Sequence, residues 1–234
     1  MGKTVTFKRP DGQDCSGYYA PAKSGETVAG MVVIQEWWGL NEQIKGVAQR
    51  LTEAGYRVLV PDLYRGKVTL EAAEAEHLMG DLDFMDAATQ DIRGALQHLK
   101  SNTRKTAVIG FCMGGVLSIL AAVYVKEADA AVSWYGLPPE EAADIATIKI
   151  PLQGHFALKD PYFTPAQVDS LETRLKAGRV VYEIYRYPAD HAFGNETGDH
   201  YDPEAAGLAW QRTLDFLSKH LKSRFEGFHV PIVC

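Results

Sequence analysis

Short apolar runs alternate with amphipathic, helix-like stretches along this chain, and this alternation limits the folds that it can adopt. Apolar periodicity predicts strands over residues 5–8, 16–20, 30–34, 57–60, 106–109, 130–134, 150–153 and 180–185. It predicts helices over residues 41–55, 70–79, 86–99, 115–126, 165–176 and 205–221. The alternation predicts an α/β fold with a doubly wound, mostly parallel sheet flanked by helices on both faces. We expect the 234 residues to form a single domain.

Residues 110–115 read Gly-Phe-Cys-Met-Gly-Gly and join a predicted strand to a predicted helix. Glycines on both sides of Cys112 permit a sharp turn, and such strand-to-helix turns present the nucleophile of many hydrolases, usually a serine. The N-terminus of the following helix favours a thiolate and an anionic intermediate. A buried apolar cysteine beside a tight turn is the alternative. The flanking strand and helix favour a nucleophilic Cys112.

A cysteine nucleophile needs a base, and the base needs a group that orients it. Asp160 follows the predicted strand 150–153, and His191 follows the strand 180–185. The carboxyl ends of parallel strands meet at one edge of a sheet, so both side chains are predicted to lie near Cys112. Taken alone, an aspartate before proline is usually a turn former and a loop histidine is usually solvated. Together with the turn at Cys112 they predict a Cys-His-Asp triad.

The loop 35–40 follows the first buried strand, where such folds supply one backbone donor to an oxyanion. The N–H groups of Trp37 and Met113 are therefore the predicted oxyanion hole. Glu36 stands directly before two tryptophans, and it is either a functional carboxylate or an exposed loop glutamate. His155 is predicted to brace the loop of Asp160. No His, Cys or acidic residues have the spacing of a metal site and no phosphate-binding loop is present, so we expect neither metal nor cofactor.

Charge and cysteine content narrow the possible partners and the compartment. A net charge of −6 and a pI near 5.6 argue against binding to nucleic acid. No apolar run approaches the roughly 20 residues of a membrane span, and the first residues lack the pattern of a secretion signal. The three cysteines, Cys15, Cys112 and Cys234, form no Cys-x-x-Cys pair. We therefore expect a cytoplasmic protein in which Cys15 and Cys234 have no chemical role.

Four motifs together give the chain a family resemblance: QEWWGL at 35–40, PDLY at 61–64, GFCMGG at 110–115 and ADHAF at 189–193, with Asp160 between the last two. In combination they resemble the dienelactone hydrolases, also called carboxymethylenebutenolidases, which have an α/β-hydrolase fold. The resemblance implies Cys112 as nucleophile, His191 as base and Asp160 as its orienting group. It further implies that Glu36 restrains the resting thiol, which turns toward it until substrate binds, and that the protein is a monomer.

The sequence departs from this family at the positions that bind the substrate's carboxylate. The resemblance implies two arginines there, but Asn195 occupies the first position and residues 69–91 contain no arginine. Arg65, Lys67 or Lys159 are possible replacements. The aromatic residues near the motifs instead suggest a pocket for a less polar ester or lactone, although several could pack in the core. The predicted substrate-binding residues are Trp38, Tyr64, Tyr135, Phe163 and Asn195.

These observations predict a cysteine-dependent hydrolase of small esters or lactones that acts through an acyl-thioester intermediate. One alternative is a reactive-thiol redox sensor, which would need no Asp160 and would need a second cysteine within reach. Another is a binding module that keeps the hydrolase scaffold without its chemistry.

Overall fold

The protein is described by a computed structural model that covers residues 2–23 and 29–221. Its eight strands are β1 (Lys3–Lys8), β2 (Asp14–Ala20), β3 (Gly30–Ile34), β4 (Arg57–Pro61), β5 (Thr106–Phe111), β6 (Ala130–Trp134), β7 (Leu152–Ala157) and β8 (Tyr182–Tyr187). They form one sheet in the order β1-β2-β4-β3-β5-β6-β7-β8. β1, β2 and β4 pair antiparallel, and the neighbours from β4 to β8 pair parallel.

Helices connect the strands. They are α1 (Glu42–Glu53), α2 (Ala72–Asp81), α3 (Phe84–Asp86), α4 (Arg93–Lys100), α5 (Met113–Tyr124), α6 (Pro165–Ala177) and α7 (Pro203–Leu221). A π-helical segment, Ala87–Ile92, joins α3 to α4, and short 3₁₀ turns lie at Glu140–Ala142 and Ile145–Thr147. The predicted helix at 86–99 is therefore one helical stretch that begins two residues earlier and contains a π segment.

Apolar side chains cover both faces of the sheet. In β3, Val32 and Ile34 belong to the apolar cluster that includes α4, α5 and α6, whereas Met31 and Val33 belong to the cluster that includes α1 and α7. Successive strand residues point to opposite faces, so a continuous apolar run is what a strand buried on both sides requires. The predicted α/β class and the doubly wound, mostly parallel sheet are confirmed.

The last two strands each begin two residues later than the sequence pattern predicts, and β7 ends four residues later and β8 two residues later. β7 continues through Gln153 and His155, which are fully buried although polar. The two ring nitrogens of His155 lie 2.9 Å from the Gln153 Oε1 and 2.9 Å from the Tyr187 hydroxyl, so burial leaves them satisfied. Burial lowers the pKa of His155 to about 3, and the ring is neutral. His155 thus ties β7 to β8 and, through Thr213, to α7 rather than bracing the loop of Asp160.

Candidate active site

Cys112 is the residue between β5 and α5, and its backbone is in an unusual conformation. Its φ of 54° and ψ of −117° lie outside the regions that non-glycine residues normally occupy. The Cys112 N–H donates to the Trp134 carbonyl at 3.0 Å, and the Cys112 carbonyl accepts from the Gly115 N–H at 2.8 Å. These bonds hold a conformation that costs about 1–3 kcal/mol. The turn directs the thiol away from the sheet at the start of α5.

The turn is possible because its glycines lie against neighbouring backbone. A Cβ on Gly110 would collide with the Gly114 carbonyl, and a Cβ on Gly114 would collide with the Ile34 carbonyl. The helix therefore packs directly on β5 and β3. The sequence pattern GFCMGG is the local consequence of this close approach.

The structure brings Cys112, His191 and Asp160 together from three separate loops. The Cys112 Sγ lies 3.3 Å from the His191 Nε2, and the His191 Nδ1 lies 2.7 Å from an Asp160 carboxylate oxygen. A carboxylate can only accept here, so the Nδ1 carries the proton and donates it. The Nε2 is then left free to accept from the thiol. The loop of Asp160 follows β7 and the loop of His191 follows β8, so the shared carboxyl edge of the sheet places both.

Asp160 is buried and is held by its own loop. Its other carboxylate oxygen accepts from the N–H groups of Tyr162 and Phe163, at 2.8 and 3.0 Å. The rings of Tyr162, Phe163 and Tyr135 surround the imidazole of His191, with centroid distances of 5.1, 5.8 and 5.4 Å. Aspartate before proline does form a turn here, and that turn also fixes the carboxylate against His191. Sequence reasoning did not identify the packing role of Tyr162.

Electrostatics keep the thiol of Cys112 protonated in the absence of substrate. Burial raises the pKa of Cys112, and the nearby negative charges of Glu36 and Asp160 raise it further. The Met113 N–H at the start of α5 acts in the opposite direction but is the weaker influence. The site thus holds a neutral thiol next to a base that can accept its proton.

Glu36 is buried behind the triad and not exposed in its loop. One of its carboxylate oxygens accepts from the Asn195 amide at 2.7 Å, and the other accepts from the Tyr135 hydroxyl at 3.3 Å. Burial raises the pKa of Glu36, although both hydrogen bonds act to lower it. The carboxyl does not hydrogen-bond to Cys112, whose Sγ lies beside His191. The resting arrangement implied by the family resemblance, with the thiol turned toward this glutamate, is therefore not the one seen here.

The raised pKa of Glu36 predicts a pH-dependent stability penalty that glutamine should remove. Above pH 4.5 the unfolded chain releases this proton, whereas the folded protein retains it up to the raised pKa. The native state therefore binds more protons in that window, and the carboxyl's contribution to the unfolding free energy falls as pH rises. We expect the unfolding free energy of Glu36→Gln to rise relative to that of the native protein as pH increases above 4.5, with a slope of at most about 1.4 kcal/mol per pH unit for this one proton. Urea unfolding at several pH values measures this.

Glu53→Gln is the matched control for that measurement. Glu53 is exposed, and its hydrogen bond with Lys23 lowers its pKa, so its removal should not stabilise the protein at high pH. Parallel pH profiles for Glu36→Gln and the native protein would contradict the assignment of Glu36 as a buried carboxyl with a raised pKa.

A cleft of about 1160 Å³ opens above Cys112. Of the predicted substrate-binding residues, Trp38, Phe163 and Asn195 line it, as do Trp37 and Met113. The structure does not place Tyr64 or Tyr135 in its wall. Tyr135 is fully buried and bonds to Glu36, and the Tyr64 hydroxyl donates to the Met113 sulfur at 3.3 Å. Both tyrosines are buried and contact residues that line the cleft rather than lining it themselves: Tyr135 bonds to Glu36, and Tyr64 bonds to Met113.

Of the three cations proposed to replace the missing arginines, only Lys159 lines the cleft. Arg65 is held by Asp91, which accepts from its guanidinium at 2.8 and 3.0 Å. Asp91 is itself buried and also pairs with Arg9, at 3.1 Å. The network occupies Arg65, so Lys159 is the one of these three cations that faces the cleft.

Three further observations concern the remaining predictions. Cys15 is buried, and burial raises its pKa to about 12, which keeps it unreactive; Cys234 lies outside the described residues. Within residues 2–23 and 29–221, no group of three or more His, Cys, Asp or Glu side chains could hold a metal ion. No helix in this part of the chain has the length and apolar character needed to cross a membrane.

Comparison with known proteins identifies relatives whose sequences align with almost the whole of this chain. Residues 16–221 match the dienelactone hydrolase family. "Protein usf" of Aquifex pyrophilus is 33% identical over 233 residues, covering 94% of this chain and 100% of that protein. A protein of Aquifex aeolicus, provisionally named a carboxymethylenebutenolidase, is 31% identical over 235 residues and covers 95% and 100%.

A solved structure shares the fold. A crystal structure from Klebsiella pneumoniae, provisionally assigned as a dienelactone hydrolase, has a TM-score of 0.83 and 24% identity, and the match covers 94% of this chain and 99% of that one. The shared architecture is the α/β-hydrolase fold, which confirms the expectation drawn from the motifs.

Proposed function

The chain belongs to the dienelactone hydrolase family, and from this premise we propose that it hydrolyses small uncharged esters or lactones with Cys112 as the nucleophile. The observation that carries the proposal is the continuous path from Cys112 through His191 to Asp160, with separations of 3.3 and 2.7 Å. Nucleophile, base and orienting group at hydrogen-bond distance are the arrangement that covalent catalysis requires.

In the first half of the reaction the thiol proton moves to the His191 Nε2, and the thiolate attacks the carbonyl carbon of the ester. Negative charge develops on the carbonyl oxygen, for which the N–H groups of Trp37 and Met113 are the proposed donors. Losing one such donor typically costs about 10²–10³ in rate. The C–O bond then breaks, and the leaving alkoxide takes the proton from His191. The product is an acyl thioester on Cys112.

In the second half a water molecule gives a proton to the His191 Nε2 and attacks the thioester carbonyl. The C–S bond breaks, the thiolate recovers its proton from His191, and the carboxylic acid leaves. Asp160 stabilises the imidazolium formed in both halves because its carboxylate accepts from the Nδ1. His191 therefore acts as base and then as acid in each half-reaction.

Glu36 is proposed to restrain the nucleophile until substrate arrives. When ionised, Glu36 raises the pKa of Cys112, which limits the amount of thiolate present without substrate. Asn195 and Tyr135 hold the carboxyl at a constant position through hydrogen bonds of 2.7 and 3.3 Å. The proposed preference for uncharged substrates rests on the absence of arginine at the two positions where the resemblance implies one. Arg65 is paired with Asp91, so within the described residues Lys159 is the single lysine or arginine that lines the cleft.

Trapping the acyl enzyme tests the proposal directly. After rapid mixing with a slowly hydrolysed aryl ester, intact-protein mass spectrometry should detect one added acyl group, and peptide mapping should place it on Cys112. Hydroxylamine at neutral pH should remove the group, as it does from thioesters. An acyl group on another residue, or hydrolysis without any acyl enzyme in the Cys112-containing protein under single-turnover conditions, would contradict the mechanism.

A further inference from the structure

One part of the cleft extends from Cys112 along α5 and is lined by apolar side chains. We call this part the apolar arm, and it is formed by Met79, Phe84, Val116, Leu120, Leu137 and Ala142. Cys112, Val116 and Leu120 are spaced four residues apart, so they share one face of the helix. At about 1.5 Å per residue, Leu120 lies roughly 12 Å along the helix axis from Cys112. The arm therefore begins at the nucleophile and continues for two turns of helix.

The arm is enclosed by side chains from separate elements. Val116 and Leu120 line the cleft but are only 8% and 2% exposed, so they form its floor. The other walls come from half-buried Met79 of α2 and Phe84 of α3, and from Leu137 in the segment after β6. None of these side chains has a charge. The lysine and acidic residues that line the cleft come from other segments: Glu36 follows β3, Lys159 follows β7, and Asp190 and Asp199 follow β8.

A hydrogen bond joins α5 to the opposite wall just beyond the far end of the arm. Tyr124, one turn beyond Leu120 on the same face of α5, does not line the cleft. Its hydroxyl donates to the Ala142 carbonyl at 2.9 Å, which ties the end of α5 to the 3₁₀ turn at Glu140–Ala142. Leu120 is therefore the last residue of α5 that lines the cleft, one turn before this hydrogen bond.

We propose that the apolar arm binds the linear aliphatic chain of a medium-chain ester. The inference rests on the proposed function, because the arm positions a substrate only if the ester carbonyl lies at Cys112. An extended chain advances roughly 1.3 Å per C–C bond of about 1.5 Å, so 12 Å accommodates about eight carbons. Burying each methylene in such a site improves binding by about fourfold. Short acetyl esters and carboxylated lactones leave the arm empty.

Two homologous substrate series test the proposal and identify which side of the ester occupies the arm. The first varies the acyl chain of p-nitrophenyl esters from acetate to dodecanoate, and the second varies the alcohol of alkyl acetates from ethyl to dodecyl. In one series kcat/KM should rise about fourfold per methylene to a maximum near eight carbons and then fall. The series that responds shows whether the arm holds the acyl or the alkoxy chain.

Leu120→Trp should shorten the arm by filling its distal part. We expect the ratio of kcat/KM for the eight-carbon substrate to that for the four-carbon substrate to fall about tenfold, because fewer methylenes are then buried. Leu208→Trp is the matched control: Leu208 is 47% exposed on α7 and does not line the cleft, so the ratio should not change. Since Leu120 is also part of the core, Ala142→Phe at the half-buried end of the arm provides a second test if the first variant does not fold.

The possible outcomes distinguish a failure of the apolar-arm proposal from a failure of the proposed hydrolase function. If acetate hydrolysis depends on Cys112 but kcat/KM stays flat or falls with chain length in both series, the apolar arm is not a substrate site. A carboxylated lactone preferred over every uncharged medium-chain ester would overturn the inference in the same way. If hydrolysis persists in Cys112→Ala, the proposed function itself fails, whatever the chain-length preference.

Discussion

Replacing Cys112 by alanine is expected to lower kcat/KM for uncharged esters by at least about 10⁴-fold. The loss should be this large because water cannot take the place of the thiol beside His191, at 3.3 Å, without changing the mechanism. What remains would be the acceleration supplied by binding and oxyanion donors alone. Steady-state hydrolysis of a p-nitrophenyl ester, measured on protein purified away from other esterases, gives the ratio.

Cys15→Ala is the matched control because it removes a thiol that the mechanism does not use. Cys15 is buried on β2 with its Sγ near Ser16 and Arg65, so its loss should change stability more than kcat/KM. An alanine variant at 112 that keeps native turnover would show that another group attacks the carbonyl. Equal losses in both variants would indicate a structural effect rather than the loss of a nucleophile.

Asp160→Asn is expected to reduce kcat on the order of 10³-fold while KM changes little. The carboxylate oxygen 2.7 Å from the His191 Nδ1 can only accept, which leaves the Nε2 available to the thiol. An asparagine amide can donate to the Nδ1, and the ring then carries its proton on the Nε2, where it cannot take one from Cys112. Asp160 touches His191 rather than the cleft wall, so the effect should fall on kcat.

Asp169→Asn controls for the loss of a negative charge near the sheet edge. Asp169 is exposed on α6 and pairs with Arg186 at 2.7 Å, outside the cleft. Proton NMR gives a second readout. The His191 Nδ1 proton, which donates to Asp160, should give a downfield resonance in the native protein and in Asp169→Asn but not in Asp160→Asn. Unchanged kcat in that variant would mean that His191 does not need this carboxylate to hold its tautomer.

The turn at Cys112 could be predicted because its causes are local in the chain. Glycines at 110, 114 and 115, a strand before them and a helix after them are all visible in the sequence. Asp160 and His191 could be placed near Cys112 from strand order alone, even though β7 and β8 end later than predicted. A loop at the carboxyl edge of a parallel sheet faces the same region whichever residue begins it.

The surroundings of Glu36 could not be predicted in the same way. Its partners Tyr135 and Asn195 are 99 and 159 residues away, and nothing in their local sequence indicates a shared hydrogen-bond network. Asn195, at the position of a family arginine, lines the cleft as the substrate-contact prediction requires, but its hydrogen bond to Glu36 was not predicted. Side-chain packing between distant segments decides such roles, and periodicity carries no information about it.

The position of Leu120 on the helix that begins at Cys112 has a consequence for how substrate range could be changed. A substitution on that helix also alters the packing that supports the turn at Cys112. Changes there therefore affect both the chain-length preference and the position of the sulfur. Met79, Phe84 and Leu137 face the same space from elements that do not carry the triad. Directed evolution toward bulkier or shorter substrates should therefore accumulate its substitutions on that opposite wall and leave the helix unchanged.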